Sequence, residues 1–373
     1  MSSNAGNPRN LKASEPVGEL ELVHSFDGAM PTGVTVSRGG RVFVNFPEWG
    51  DHPAATVVEL RAGEERPYPD SGWNSAKDVD DANAFVSVQS VVVDPADRLW
   101  VLDTGSPMFQ PTRYGGPKLV CVDLTTDEVV STIVMPRDVA LETTYLNDVR
   151  FDLTRGTAGA AYITDSSESG PNGIVVVDLG TGEAWRRLHD HPSTKAVALS
   201  NCRPIVEGRP FLKQPGNGPS EPVAMGSDGI AVSADGQRLW YCPLASRHWY
   251  SVSTEALFDR SVSDDDVAAT VVDEGDKGGV GDGLESDDKG RFYITAGEHN
   301  AVLRRLPDGT FETLLYDVRL LWPDTLAVAE GYLYVTANQL HRQADYQGGK
   351  DLREPPYALF RTPIDAGPVR LMR

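Results

Sequence analysis

Residues 90–105 read SVVVDPADRLWVLDTG. An apolar run, Ser90–Val93, breaks at Asp94-Pro95, where the proline ring presets φ for a tight turn. A second run, Leu99–Leu102, follows with a tryptophan in its first half. Two apolar runs folded about a polar turn are a β-hairpin. The same arrangement recurs along the chain as GVTVSRGGRVFVNF (33–46), DVRFDLTRGTAGAAYITDS (148–166), GIAVSADGQRLWYCP (229–243), GLESDDKGRFYITAG (283–297) and TLAVAEGYLYVTAN (325–338), six copies in all. Most copies are followed by two more strand-like stretches, such as KLVCVDL and EVVSTIVM after the second and GIVVVDL and EAWRRL after the third. Four strands per unit, repeated six times, predict an all-β, six-bladed β-propeller. No stretch longer than about a turn has helical periodicity, which argues against an α/β architecture.

A propeller has to join its first and last blades. The sixth unit supplies three strands, TLAVA, YLYVTA and YALFRTPI, and the run ELELVHSF at 19–26 precedes the first copy. That run is expected to complete the last blade and so remove an exposed sheet edge. The expected organisation is a disordered tail over 1–17, then a single propeller domain over 18–373 with a long mouth-side loop at 189–227.

The chain of 373 residues carries a net charge of −20, which argues against nucleic-acid or anionic-membrane partners. Most of the carboxylates, including the clusters Asp78–Asp81 and Asp264–Asp266, read as solvated loops. The first 17 residues lack the apolar segment of a signal peptide, and no apolar run reaches the ~20 residues a membrane helix needs. The three cysteines (Cys121, Cys202, Cys242) do not form a disulfide framework. A cytoplasmic monomer or small homo-oligomer acting on a small molecule is the expectation.

In a propeller, the start of each first strand and the end of each second strand converge on one mouth of the axis. Gln89, Asn147, Asp228, Asp282 and Asp324 stand before first strands, and Asn45, Asp103, Asp165 and Asn338 end second strands, with His299 close by. Oxygen ligands crowded on one axis suit a hard cation such as Ca²⁺. The same residue types also cap turns, a reading that fits Asp103-Thr104-Gly105 and Asp165-Ser166-Ser167. The long connections 71–88 and 189–227 are expected to lie on the mouth side, with Trp73, Phe85, Phe211 and Met225 giving them an apolar inner surface. Trp322 adds an aromatic wall at the entrance of blade six.

The string from Pro67 to Gly105, PYPDSGWN…FVSVQSVVVDPADRLWVLDTG, closely resembles the Yellow and major royal jelly protein family. PTGVTVS, LNDVRFD, YITDSS and GSDGIAVS also resemble it. That family is related in fold to the gluconolactonase and regucalcin propellers, whose divalent cation is held by a Glu, an Asn and the Asp of an Asp-Gly pair. The resemblance implies that Asn147 and Asp228 are metal ligands, whereas Thr32-Gly33 stands where the Glu is expected. It also implies two enzyme chemistries, a cation-assisted lactonase and a tautomerase of dopachrome-like indole-quinones. Asp282, Asp324 and Asp228 would be the acid–base groups in either. Gln89, Asn45, Asp103, Asp165, Trp73, Trp322, His299 and Asn338 would line the substrate site. The alternative is a non-catalytic receptor for a small aromatic amine, for which an acidic mouth beside tryptophan is suited.

Overall fold

A computed structural model describes residues 15–75, 81–198 and 202–373. Six four-stranded antiparallel sheets follow one another as blades over 33–67, 88–134, 146–187, 227–276, 284–316 and 323–363. The sixth sheet has three strands of its own and takes Glu21–Phe26 as its outer strand, as the closure argument requires. Glu21 pairs with Arg361 and Phe26 with Tyr357. The Glu21 carboxylate also accepts from the Arg361 guanidinium at 2.7 Å. Of the expected tail 1–17, residues 1–14 lie outside the described residues. Val17 differs from that expectation, because its amide and carbonyl exchange hydrogen bonds with Tyr316 at 2.9 and 3.0 Å.

The recurrent turn has a local cause. In blade two the Asp94 carboxylate accepts from the amides of Ala96 and Arg98, the Arg98 guanidinium and the Trp100 indole. In blade five Asp287 does the same for Lys289 N, Arg291 N, the Arg291 guanidinium and the Tyr293 hydroxyl. An aspartate, an arginine four residues later and an aromatic two beyond that therefore tie the turn to the start of the second strand. The faces between blades are filled by valine, leucine, isoleucine and aromatic side chains at or near zero exposure, such as Val101, Val120, Ile163 and Val175.

The acidic run Asp264–Asp266 departs from its expected loop. It opens a short helix, Asp264–Ala269, whose first turn is capped by the Ser263 hydroxyl accepting from Asp266 N at 3.2 Å. Carboxylates at a helix N-terminus are favoured by the unpaired amides there, a local effect that periodicity does not register. Among the described residues no helix is long and apolar enough to cross a membrane.

Closure by one N-terminal strand makes a prediction. Phe26 is 1% exposed at the end of that strand, so Phe26→Ala should cost about 3–5 kcal/mol of unfolding free energy in urea denaturation. Leu22→Ala, at 51% exposure on the same strand, should stay within about 0.5 kcal/mol.

Candidate functional site

In four blades the inner strand carries a register shift at its first residues: between Val88 and Ser90, Leu146 and Val149, Ser227 and Ile230, and Pro323 and Leu326. Such bulges re-aim side chains. Here the shifted residues include Gln89, Asn147, Asp148, Asp228 and Asp324, all of which line a chamber on the axis. Asp282 reaches the same place from just before the blade-five strand. Amides at the axial ends of the inner strands are satisfied by threonines of the second strands. Thr164 Oγ1 accepts from Asp148 N, Thr295 Oγ1 from the amides of Asp282 and Gly283, and Thr336 Oγ1 from Thr325 N.

Glycine follows two of the axial aspartates for a steric reason. A Cβ on Gly229 would stand 2.4 Å from the Asp282 carbonyl oxygen, and one on Gly283 would stand 2.0 Å from that of Asp324. Only glycine lets these neighbouring inner strands approach so closely at the axis.

The chamber is small, about 10 Å³, roughly the space that holds one water. Asn147 Nδ2 donates to Asp228 Oδ1 at 2.8 Å, Trp322 Nε1 to Asp282 Oδ2 at 2.7 Å, and Asn338 Nδ2 to Asp324. Asn338 Nδ2 also donates to Pro31 O at 3.0 Å, which joins the last blade to the first at the site itself. The Gln89 side-chain carbonyl accepts from Tyr145 OH, and that oxygen accepts from Trp49 Nε1 at 2.7 Å. Burial raises the pKa of Asp228, Asp282 and Asp324, and the charge of Asp282 pushes those of Asp228 and Asp324 higher still. Hydrogen bonds from Asp228 and Trp322 oppose part of the rise at Asp282.

Two aromatic walls flank the mouth. On one side Phe109 stacks on Tyr145 at 4.5 Å and on Trp49 at 5.2 Å. On the other, Trp322 stacks on His341 at 5.8 Å and meets Phe211 at 4.7 Å. Trp322 holds a left-handed backbone (φ 57°), which for a bulky residue costs on the order of 1–3 kcal/mol and is characteristic of functional positions. Phe211 and Met225 belong to the long 189–227 connection and pack in one apolar cluster with Trp322 and Tyr346, so residues 202–227 of it cover the mouth. It is fastened by Glu207 to His341 Nε2 at 2.7 Å and Arg342 at 2.6 Å, by Ile205 N to Glu298 at 2.9 Å, and by Lys213 to Glu168.

Other expected site residues lie elsewhere. Asp103 is fully buried off the chamber, accepting from Lys118 Nζ at 2.8 Å and from the amides of Val86, Ser87 and Gly105. Asp165 likewise serves Tyr145 N, Ser167 N, Thr144 Oγ1 and Arg186. Both are turn-fixing residues, because each carboxylate is spent on local donors. Asn45 stitches blades one and two through Thr32 Oγ1 and Val88 O. Trp73 packs on Phe85 at 5.1 Å within the core between those blades, away from the axis, so neither ring faces the mouth. Residues 76–80 of that connection lie outside the described residues. His299 is exposed beside Arg247 and Phe311 at the outside of blade five.

The cation expected from the resemblance does not fit this donor set. Among the described residues no three carboxylates, imidazoles or thiolates stand together at ligand distance. The axial carboxylates instead have N–H donors from Asn147, Trp322 and Asn338. Thr32, where a third ligand is expected, is buried and engaged with Asn45.

Sequence reasoning passed over Asp148, Tyr145, Trp49 and Phe109, whereas His341 was expected close to the mouth. Asp148 and Arg150 had a legible signal, since LNDVRFD places charges inside a strand with an apolar rhythm. The aromatic wall had none.

The model of the family described as "Major royal jelly protein" matches residues 86–354. The chain belongs to this family. It is 28% identical over 240 residues to major royal jelly protein 1 of Apis mellifera, covering 61% of this chain and 51% of that protein. It is 29% identical over 259 residues to Protein yellow of Drosophila melanogaster, covering 64% and 43%. The chain thus spans about half the length, or less, of these curated relatives. Among solved structures it is similar to a calcium-binding regucalcin from Agrobacterium tumefaciens, with a TM-score of 0.56, 14% identity and coverage of 93% of this chain and 95% of that one. It is also similar to a gluconolactonase from Xanthomonas campestris, with a TM-score of 0.53, 12% identity and coverage of 95% and 99%. At these identities the likeness is one of fold.

Raised carboxylate pKa values have a stability consequence. The folded state holds protons that the unfolded chain, with carboxylates near ~3.9, releases first. Stability is therefore full below that value and falls as pH rises through the folded-state pKa. Asp324→Asn removes one such titration while leaving an acceptor for Asn338. In urea denaturation the variant should gain stability over the parent at about pH 8, with the gap closing toward about pH 4. A gap that widens on acidification would contradict the assignment.

Proposed function

We propose that the axial chamber is a cation-independent acid–base centre that tautomerises a small polar aromatic substrate, admitted when the 202–226 segment lifts from the mouth. The observation that carries this reading is the cluster of Asp228, Asp282 and Asp324, whose burial and proximity to one another raise their pKa values. In such a cluster one carboxyl keeps its proton while a neighbour is ionised, so an acid and a base coexist near neutral pH. Tautomerisation needs only that pair. An ionised Asp282 takes a proton from carbon, the electron pair shifts through the conjugated system, and protonated Asp228 returns a proton at a second atom. No oxidant, reductant or external water is consumed. Trp322 holds Asp282 through its indole N–H, and lifting of the segment would withdraw Phe211 from its ring and leave room there for a planar substrate. The Yellow resemblance favours an indole-quinone of dopachrome type.

Asp282→Asn should lower kcat for such a substrate by about 10²–10⁴-fold. EDTA or added Ca²⁺ should leave wild-type turnover unchanged, and activity should fall on the alkaline side as the protonated carboxyl is lost. Loss of activity in EDTA, or turnover of simple lactones with none of quinone tautomers, overturns the proposal.

A second reading is supported by the chamber's lining. It carries Asp148, Asp228, Asp282 and Asp324 and no cationic side chain, an environment that attracts an organic ammonium beside an aromatic wall. Calorimetry with tryptamine separates the two. Saturable binding that is lost in Asp282→Asn, without turnover of any tautomerisable substrate, favours the receptor.

A further inference from the structure

Gln89 is the residue left over by the register shift between Val88 and Ser90, and it lines the axial chamber at 8% exposure. The direction of its carboxamide is fixed by a chain of hydrogen bonds from three successive blades. Trp49 Nε1, just after the second strand of blade one, lies 2.7 Å from Tyr145 OH, and that hydroxyl lies 2.9 Å from Gln89 Oε1. An indole N–H can only donate, so the Tyr145 oxygen is the acceptor in the first bond. Its one hydrogen is left for Gln89, which has to present its carbonyl oxygen. The amide nitrogen is thereby turned away from Tyr145. Tyr145 is itself buried, pinned by Asp165 accepting from its amide at 3.0 Å and stacked on Phe109. The main chain at Gln89 is anchored by Thr32 Oγ1, which donates to its carbonyl at 3.3 Å.

The lining of the chamber carries two side-chain nitrogens, those of Gln89 and Asn147. Asn147 Nδ2 is given to Asp228 at 2.8 Å. Gln89 Nε2 has no hydrogen-bond partner among the described residues, and it is not among the unpartnered atoms that are sealed from solvent, so it keeps accessible surface. The hydroxyl donors of the lining are committed, Ser90 Oγ to Asp148 at 2.7 Å and Thr325 Oγ1 to Asp324 at 3.2 Å. A free amide donor therefore stands in a lining whose charged groups are all carboxylates. A chamber with room for roughly one water admits one oxygen atom of a ligand and leaves its ring outside.

We propose that Gln89 Nε2 is the donor that receives the carbonyl oxygen of the substrate, with Tyr145 and Trp49 as the positioning residues that aim it. The inference rests on the acid–base reading of the same site and narrows its substrate to a conjugated carbonyl compound that enters oxygen first. As the C–H bond breaks toward Asp282, its electron pair enters the conjugated system and the carbonyl π pair moves onto oxygen. That oxygen takes the proton of Asp228, and the proton gained by Asp282 passes back to Asp228 to close the cycle. Gln89 Nε2–H meets the charge where it develops. A neutral donor suits this place, because a lysine or arginine there would hold the neighbouring carboxyls ionised.

Isatin, a neutral planar dione, serves as the binding probe for the full chain, with indole (no carbonyl) and tryptamine (an ammonium) as comparisons, all followed by calorimetry. Isatin should saturate. Gln89→Met keeps the length of the side chain and removes the donor, so isatin should bind about threefold to tenfold more weakly, the worth of one net hydrogen bond. Indole and tryptamine should bind the variant as they bind the wild type. Tyr145→Phe keeps the ring on Phe109 and frees the carboxamide, so it should reproduce part of the isatin loss. It carries the test should Gln89→Met fail to fold. With dopachrome as substrate, Gln89→Met should lower kcat by about 10²–10³-fold, more than it weakens isatin, because the charge on oxygen is greater in the transition state. The proposal is overturned if isatin does not saturate, if Gln89→Met binds it as tightly as the wild type, or if indole is weakened equally, as a merely distorted mouth would give. An unchanged kcat in Gln89→Met beside a fall in Asp282→Asn also overturns it and leaves the acid–base reading standing. A wild type that does not turn over dopachrome, yet loses isatin affinity on Gln89→Met, overturns the acid–base reading alone.

Discussion

The pairing of Glu21–Phe26 with the last strand of blade six is the constraint from which the rest of the architecture follows. A ring of blades holds its axis only when the circle is closed, because each inner strand is positioned by the blades on either side. Closure brings Pro31, ahead of blade one, within reach of Asn338 of blade six, and that asparagine also holds Asp324. One side chain thus ties the seam of the ring to the carboxylates of the site. The seam also satisfies the backbone groups of what would otherwise be an open edge.

Within the closed ring the axis is where polar groups are forced together away from water. Six inner strands converge, four of them bulged at the residues that face the axis, and the result is a column of buried carboxylates. The column is handled in two ways. At the mouth end Asp228, Asp282 and Asp324 are held by N–H donors, and burial raises their pKa values. One layer lower Asp148 is balanced by Arg150. Protons can move in the first arrangement, whereas the second is a fixed ion pair. The acid–base chemistry proposed for the mouth rests on this contrast.

The covering of the mouth follows the same logic. Aromatic rings from two directions, Phe109 on Tyr145 and Phe211 on Trp322, exclude water from the carboxylates and strengthen their mutual influence. The fasteners at Glu207 and Glu298 are side-chain contacts of a segment with only two-stranded pairings of its own. Such a segment is drawn from the less stable end of a structure, and the proposed entry to the site depends on it.

What the sequence determined by itself is whatever local chemistry repeats. The alternation of apolar residues, the Asp-to-Arg-to-aromatic turn of blades two and five, and the spare strand at 19–26 state the blade count, the hairpins and the closure, because each is settled within a few residues of itself. Asp228, Asp282 and Asp324 were legible as axial for the same reason, since they hold equivalent positions before successive strands. Asp103 and Asp165 occupy positions that look equivalent on paper, yet their carboxylates are consumed by neighbouring amides and by Lys118 and Arg186. The N–H donors that Asn147, Trp322 and Asn338 turn on the axial carboxylates, the aromatic wall of Trp49, Phe109 and Tyr145, and the crossing of the axis by Arg150 were decided by tertiary structure alone. Each depends on where groups from blades far apart in sequence meet, and hydrogen bonding across such separations leaves no periodic trace in the chain.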